Sequence, residues 1–145
     1  MTAVNSARPH LIEFPQFGDL STGFLTLAVL QTDIPFAVRR VYWTCGTPPG
    51  VTRGRHAHYR TETVLVALSG RIIVSTEVPG GDLEEFTLDS PDTGLFLPPL
   101  CWRTMRYTES AVQLAFASNE YTDEDYICSL DDFRVMGDLS GTERD

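Results

Sequence analysis

The chain has 145 residues, about the length of one domain, and its apolar and charged fractions of 42% and 21% are those of a folded globular protein. Its net charge is −9 and every basic residue is an arginine, so an acidic surface disfavours general binding to nucleic acid. No apolar run approaches the roughly 18 residues of a membrane span, and the first residues lack a secretory signal pattern. We therefore expect a cytoplasmic protein that binds neither nucleic acid nor membrane.

The three cysteines, Cys45, Cys101 and Cys128, agree with that location. Their number is odd, and their spacing matches no metal-binding pattern. Free, reduced thiols of this kind are typical of cytoplasmic proteins.

Short apolar segments separated by glycine and proline turns follow one another along most of the chain. They predict strands over residues 11–14, 24–30, 38–43, 63–68, 71–76, 85–88, 94–99 and 111–117. Evenly spaced short strands with almost no helical periodicity favour an all-β barrel or sandwich. One short helix is predicted within residues 121–133, with Thr122 as its N-cap and acidic residues in its first turn. We expect a single domain over residues 9–136, with flexible ends at 1–8 and 137–145.

The triplet His56-Ala57-His58 is the candidate reactive motif. It lies between a glycine-rich turn and a buried strand. Residues two apart on an extended segment project to the same face, so the two imidazoles should point together. Such a pair can shuttle protons near neutral pH or grip a metal. Two surface histidines on a loop are the alternative that the triplet alone leaves open.

The spacing around this triplet resembles the first motif of the cupins, whose two histidines and glutamate lie inside a barrel. Here the pattern is Gly50-x5-His56-x-His58-x3-Glu62, and the next glycine comes one residue later than usual. The resemblance implies a cupin barrel, a double-stranded β-helix or jelly roll. Arg103 occupies the place of the third histidine and cannot ligate a metal because it stays protonated. Two histidines and a carboxylate can still form a ferrous facial triad, so a metal-dependent dioxygenase using His56, His58 and Glu62 remains an alternative.

An ordered set of longer segments narrows the resemblance. The segments are 34–36, 39–43, 54–58, 87–91, 117–121, 125–127 and 132–133. Together they are similar to the sugar-nucleotide 3,4-ketoisomerases, cupins that act on dTDP-4-keto-6-deoxyglucose. The resemblance implies conversion of the 4-keto to the 3-keto sugar for the biosynthesis of 3-amino-3,6-dideoxysugars. It also implies a homodimer, often with exchanged N-terminal strands, no metal or other cofactor, and catalysis by the histidine pair.

The chemistry of that reaction suits two imidazoles. A proton must leave C3, beside the carbonyl, and a proton must return to C4 of an enediol or enediolate. Two imidazoles a few ångströms apart can divide these tasks. We predict His56 as the principal base and His58 as its partner.

Six further residues form the predicted substrate-binding set: Arg40, Tyr42, Arg55, Glu62, Trp102 and Arg103. Arg40 and Tyr42 alternate on one strand and should share a polar face, as a pyrophosphate contact and a pocket hydroxyl, with Trp43 on the core side. A structural ion pair is the alternative for Arg40. Glu62 can orient a histidine, and Trp102 is expected in the core or the pocket wall.

Arg103 is predicted to hold the developing enediolate oxygen or a phosphate. The family resemblance links arginine here to the gluco product at C4. A solvent-exposed arginine at the rim is the alternative. A non-catalytic sugar-binding cupin also remains open as a function. A 3,5-epimerase-like cupin would need a His–Asp pair and a tyrosine, which the sequence alone does not reveal.

Overall fold

The computed structural model describes residues 7–141. In that range the chain forms twelve strands, one 3-10 turn and one α-helix. The strands are β1 His10–Glu13, β2 Gln16–Asp19, β3 Gly23–Thr26, β4 Arg40–Cys45, β5 Thr52–His58, β6 Thr63–Ser69, β7 Ile72–Glu77, β8 Leu83–Leu88, β9 Thr93–Leu97, β10 Trp102–Tyr107, β11 Val112–Ala117 and β12 Tyr126–Ile127. The 3-10 turn spans Asp123–Asp125 and helix α1 spans Leu130–Gly141.

Two five-stranded antiparallel sheets build the barrel. Their strand orders are β1-β9-β6-β11-β4 and β12-β5-β10-β7-β8, and β2 and β3 form a separate hairpin. Residues of both sheets meet in one apolar core, for example Leu65, Leu95, Ile72 and Val74. Burial of this apolar surface is the main stabilising contribution to the fold. The predicted all-β jelly-roll architecture is confirmed.

The C-terminal helix lies later in the chain than the sequence indicated. Thr122 precedes the 3-10 turn but makes no side-chain capping bond. The Oγ of Ser129 instead accepts the backbone N–H of Asp132 at 3.2 Å and caps α1. The segment between Thr122 and Ser129 is not α-helical, because Tyr126 pairs with His58 as part of strand β12. Helix α1 continues to Gly141, beyond the expected domain end at residue 136, while the rest of the predicted flexible ends (1–6 and 142–145) lies outside the described residues.

Helix α1 closes one side of the second sheet. Phe133 is fully buried in a small cluster with Ala57, Trp102 and Ile127. Arg134 also donates from its Nε to a carboxylate oxygen of Glu77 at 3.2 Å. Among the described residues no helix has the length and apolar character needed to cross a membrane.

Strand β4 corrects the expected assignment of its two faces. Tyr42 packs against the core, whereas Trp43 is 68% exposed. Alternation along the strand was therefore predicted correctly, but Trp43 does not lie on the core side. Strand β4 is the edge of its sheet, and β11 is its single strand partner within residues 7–141.

Strand β10 was missing from the sequence prediction, although it carries Arg103. It lies between β5 and β7 in the middle of the second sheet. Its two arginines weaken the apolar signal, and the pair Pro98-Pro99 just before it reads as a turn.

A β-bulge interrupts the pairing of β5 with β10. Arg103 lies opposite His56 and Thr104 lies opposite Gly54, so Arg55 is the extra residue. Gly54 and Arg55 both have positive φ angles, +87° and +56°. Because of the extra residue, Arg53 and His56 line the same cavity although they are three residues apart.

Substitution of Gly54 by alanine is expected to lower the free energy of unfolding by about 2–4 kcal/mol, from left-handed strain and overpacking together. An added Cβ would lie 2.8 Å from the carbonyl oxygen of Arg103 and 3.0 Å from the Sδ of Met105. Gly80→Ala is the matched control because its φ is +72° but no atom lies within 4 Å of the added Cβ. Urea unfolding of both variants measures the difference, and equal losses would mean that the close contact at Gly54 is unimportant.

Candidate active site

A cavity of about 400 Å³ opens beside strands β4, β5, β10 and β11. Its walls include Arg40, Tyr42, His56, Tyr121 and Tyr126. The prediction that Arg40 and Tyr42 share a face is therefore confirmed, and that face is the interior of the barrel.

The two histidines lie together, as the triplet predicted. Their ring centroids are 4.9 Å apart and the rings are nearly perpendicular. The ring of Tyr126 contacts both, with its centroid 5.0 Å from that of His56 and 4.5 Å from that of His58. The Nδ1 of His56 lies 3.0 Å from the carbonyl oxygen of Gly54. A carbonyl can only accept a hydrogen bond, so the neutral ring carries its proton on Nδ1 and leaves Nε2 free as a base.

Behind His58 lies an acidic residue that the sequence analysis did not assign to the site. The Nδ1 of His58 is 3.3 Å from the Oδ2 of Asp125. The contact is within ion-pair distance but does not meet the geometry of a hydrogen bond. The sequence pattern predicts Asp125 in the first turn of a helix, and the partner histidine is far away in sequence. Together with Tyr126, this contact supplies the His–Asp pair and tyrosine that the sequence did not reveal.

The carboxylate of Asp125 is buried and held from two sides. Its Oδ1 accepts the backbone N–H of Arg60 at 2.8 Å, and its Oδ2 accepts the hydroxyl of Thr61. Burial by itself would raise the pKa of Asp125, but these hydrogen bonds and the nearby His58 bring it below its ordinary value. Asp125 is therefore ionised at neutral pH.

Arg103 lies behind the cavity wall and not at a solvent-exposed rim. It is 1% exposed, and its Nε and one terminal nitrogen donate to the carbonyl of Cys101 at 3.2 and 3.1 Å. Burial lowers its pKa, yet an arginine remains a cation at neutral pH. The alternative of a rim arginine in solvent is wrong.

Burial and this cation together keep the histidines neutral. The pKa of His56 falls to about 4, first because the ring is buried and second because Arg103 repels a further positive charge. The pKa of His58 is also lowered by burial, Arg103 and His56, and the carboxylate of Asp125 offsets only part of that shift. At pH 7 both rings are free bases, as proton abstraction requires.

Arg40 is a cation on the cavity wall without an ion-pair partner among the described residues. Its guanidinium carbon lies 5.4 Å from the ring centroid of Tyr42 and 5.6 Å from that of Tyr121. Its Nε is buried without a hydrogen-bond partner, and no carboxylate pairs with it in the part of the chain that is described. Within residues 7–141 the structural ion pair that was the alternative for Arg40 is not formed.

Four residues of the predicted substrate-binding set do not line this cavity: Arg103, which lies behind its wall, and Arg55, Trp102 and Glu62. Arg55 is exposed at the bulge, and Trp102 projects from β10 to the side opposite Arg103, where its ring lies 5.8 Å from that of Phe133. Glu62 lines a neighbouring cavity of about 530 Å³ with Arg60 and Ser118, and burial raises its pKa. Asp125, and not Glu62, stands behind a histidine. Among residues 7–141 no three histidine, cysteine or acidic side chains are arranged to hold a metal, so the proposed triad with Glu62 is not assembled.

Comparisons with known proteins identify a family and several relatives of this chain. A family model described as FdtA: WxcM-like, C-terminal, matches residues 7–137. The TDP-4-oxo-6-deoxy-alpha-D-glucose-3,4-oxoisomerase of Aneurinibacillus thermoaerophilus is 37% identical over 127 residues, which is 86% of this chain and 88% of that protein. The crystal structure of QdtA, a sugar 3,4-ketoisomerase from Thermoanaerobacterium thermosaccharolyticum in complex with TDP, superposes with a TM-score of 0.86 at 33% identity, over 92% of this chain and 96% of that one.

Two further solved structures bear on substrate. A histidine-to-asparagine variant of QdtA was solved with TDP-4-keto-6-deoxyglucose bound, and it superposes with a TM-score of 0.85 at 32% identity over 91% of this chain and 95% of that one. The TDP-quinovose 3,4-ketoisomerase WlaRB of Campylobacter jejuni superposes with a TM-score of 0.81 at 30% identity, over 88% of this chain and 97% of that one.

Proposed function

The chain belongs to the FdtA family, and we propose that it is an isomerase that converts TDP-4-keto-6-deoxyglucose into the corresponding 3-keto sugar. The observation that carries this function is the pair of neutral imidazoles at 4.9 Å. His56 lines a cavity together with Arg40 and tyrosines, and His58 is buried next to it. The metal-dependent dioxygenase is not supported, because its third ligand is not assembled in the described range.

The reaction moves two protons and no other atoms. The Nε2 of His56 takes the proton from C3, and the electrons of that C–H bond form the C3=C4 double bond of an enediolate, with negative charge on O4. O4 is protonated and O3 is deprotonated. C4 then takes a proton from the imidazole pair as the C3 carbonyl forms. His58 is the second proton carrier, and Tyr42 and Tyr126, which both line the cavity, are the proposed hydroxyl partners of the two oxygens.

Arg103 stabilises this intermediate without touching it. Its positive charge lies beside both histidines in a region of low dielectric, where it disfavours an imidazolium before the reaction and favours an enediolate during it. We favour the gluco configuration at C4 for the product. This is supported by the resemblance that links arginine at position 103 to that product and by the 30% identical relative named for TDP-quinovose, a sugar of gluco configuration.

The direct test is incubation with TDP-4-keto-6-deoxyglucose in D2O, followed by proton NMR. We expect loss of the C3 proton and incorporation of deuterium at C4, with couplings that report the C4 configuration. Binding of the nucleotide sugar without exchange at either carbon would instead identify a non-catalytic sugar-binding cupin.

Arg40 is the proposed diphosphate contact. It is a cation without a carboxylate partner, and Arg53 lines the same cavity, so a nucleotide diphosphate would find positive charge in an otherwise acidic protein.

The variant Arg40→Gln is expected to raise KM by about 10- to 100-fold with a smaller effect on kcat, because a charge-assisted hydrogen bond contributes about 1.5–3 kcal/mol to binding. Arg39→Gln is the matched control, since Arg39 is the adjacent arginine and is exposed. Steady-state kinetics and calorimetric titration with TDP measure both variants. Equal affinities for TDP would place the diphosphate elsewhere.

We further propose a cytoplasmic homodimer in which the outer face of β4 meets a second copy. Strand β4 is a sheet edge, and Val41 and Trp43 on its outer side are 47% and 68% exposed. An unpaired edge with large apolar side chains favours association.

Light scattering should show a dimer for the wild type and a monomer for Trp43→Arg. Leu83→Arg, at the edge of the other sheet and 64% exposed, is the control. A monomeric wild type would overturn the proposal.

A further inference from the structure

We propose that Asp125 is a positioning residue for His58, which fixes the imidazole with its proton on Nδ1 and thereby leaves Nε2 free as a base beside His56 and Tyr126. The catalytic consequence rests on the proposed isomerase function, whereas the orientation of the ring does not.

The carboxylate of Asp125 is itself rigidly held. It is 3% exposed, and the backbone N–H of Arg60 and the hydroxyl of Thr61 fix one oxygen each. The Nδ2 of Asn119 donates to the Oγ1 of Thr61 at 3.3 Å and extends the network by one layer. The backbone carbonyl of Asp125 also accepts the N–H of Tyr59 at 2.9 Å. Because these contacts fix the carboxylate of Asp125, it can in turn fix the orientation of the His58 imidazole.

The position of this carboxylate selects one tautomer of His58. An ionised carboxylate only accepts hydrogen bonds, so the ring nitrogen at 3.3 Å is the one that bears the proton. The other charged or titratable groups that act on His58 are Arg103, Arg40 and His56, and all of them oppose a positive imidazole. Asp125 alone favours that charge. The contact can shorten when substrate completes the site, as catalytic hydrogen bonds often do.

The two histidines are thus held in the same tautomer by different means. His56 faces a backbone carbonyl and His58 faces a carboxylate. Only the second arrangement can stabilise an imidazolium by charge once a proton has been taken from carbon.

The test uses Asp125→Asn. The amide oxygen of asparagine can keep the hydrogen bond from Arg60, and its NH2 group can donate to Thr61, but it cannot accept from His58. We expect kcat to fall about 100-fold or more, as when an acceptor behind a catalytic histidine becomes a donor. Glu124→Gln is the matched control, because Glu124 is the preceding acidic residue and is exposed.

A spectroscopic readout separates positioning from general damage. The chain has three histidines, so a long-range proton–nitrogen NMR spectrum of protein labelled with 15N-histidine shows signals from three imidazole rings. The variants His10→Asn and His56→Asn each remove one set of signals and thereby assign them. In the wild type we expect Nδ1–H on His56 and His58. In Asp125→Asn we expect a changed tautomer for His58 and an unchanged one for His56, and Asp125→Glu should restore part of the activity.

The outcomes are distinguishable. An Nε2–H tautomer of His58 in the wild type overturns the proposal without any variant, so it stays testable even if Asp125→Asn does not fold. A change of tautomer without loss of kcat also overturns it, as does loss of kcat without a change of tautomer. If the wild type shows the expected tautomers but does not isomerise the sugar, the proposed function fails while the orienting contact stands.

Discussion

Replacement of His56 by asparagine lowers kcat by about 10²–10⁴-fold, the range typical of removing a general base, while the barrel stays folded. The side-chain amide of asparagine occupies about the same position as the Cγ and Nδ1 of histidine. Its NH2 group can therefore still donate to the carbonyl of Gly54, which lies 3.0 Å from the Nδ1 of His56. What disappears is the Nε2 lone pair that takes the proton from C3. The rate of deuterium exchange at C3, followed by NMR, and the melting temperature measure the two sides of this prediction.

The control for that result is the remaining histidine outside the site. His10 is exposed, and its Nδ1 lies 2.9 Å from the carbonyl of Arg8, so His10→Asn makes the same chemical change away from the cavity. We expect its kcat to stay within about twofold of the wild type, as for surface substitutions in general. Full activity in His56→Asn would move the role of principal base away from His56.

Replacement of Arg103 by methionine is expected to lower kcat by about 10²–10³-fold, the cost of removing one preorganised stabiliser of a developing oxyanion. Methionine keeps an unbranched side chain of about the length of the arginine stem and removes the guanidinium group with its charge. Loss of the hydrogen bonds to the Cys101 carbonyl and relief of a buried charge act in opposite directions, so the free energy of unfolding should change by less than about 2 kcal/mol. A large loss of activity with little change in stability would identify an electrostatic role.

The same variant also changes the pH dependence. In the wild type, Arg103 is among the causes that hold the pKa of both histidines below the ordinary value, with His56 at about 4. Removing the cation raises both pKa values, so the acidic limb of kcat/KM moves to higher pH. Titration of 15N-histidine signals measures the shift directly. Arg106→Met is the matched control, because Arg106 is an exposed arginine of the same strand, paired with Glu85 at 3.4 Å. Unchanged histidine pKa values in Arg103→Met would contradict the assignment.

The reactive pair could be predicted from the sequence because its information is local. Side chains two residues apart on a strand point to the same face of the sheet, and the structure brings His56 and His58 together as this rule predicts. The same rule separated Tyr42 from Trp43 but could not say which of them faces inward. That depends on where β4 lies in its sheet, and an edge strand beside a cavity can hold a polar inner face and an apolar outer one.

The supporting residues could not be predicted, because their contacts are remote or irregular. Asp125 reaches His58 through a strand pairing that joins distant parts of the chain. Arg103 lies on strand β10, which the sequence pattern does not predict because its two arginines weaken the apolar signal and Pro98-Pro99 precedes it. The bulge at Gly54 adds a residue to β5, so simple alternation would assign Arg53 and His56 to opposite faces. In each case the deciding factor is tertiary pairing, which no local pattern encodes.

The bulge at Gly54 also bears on how the site tolerates mutation. The group that orients His56 is a main-chain oxygen, which every amino acid at that position would supply, provided that the backbone could adopt the same turn. The group that orients His58 is a side chain, which a single substitution removes. The two halves of one catalytic pair therefore differ in mutational robustness. After random mutagenesis with selection for folding, we expect more variants in which His58 has lost its orienting contact than variants in which His56 has lost its own.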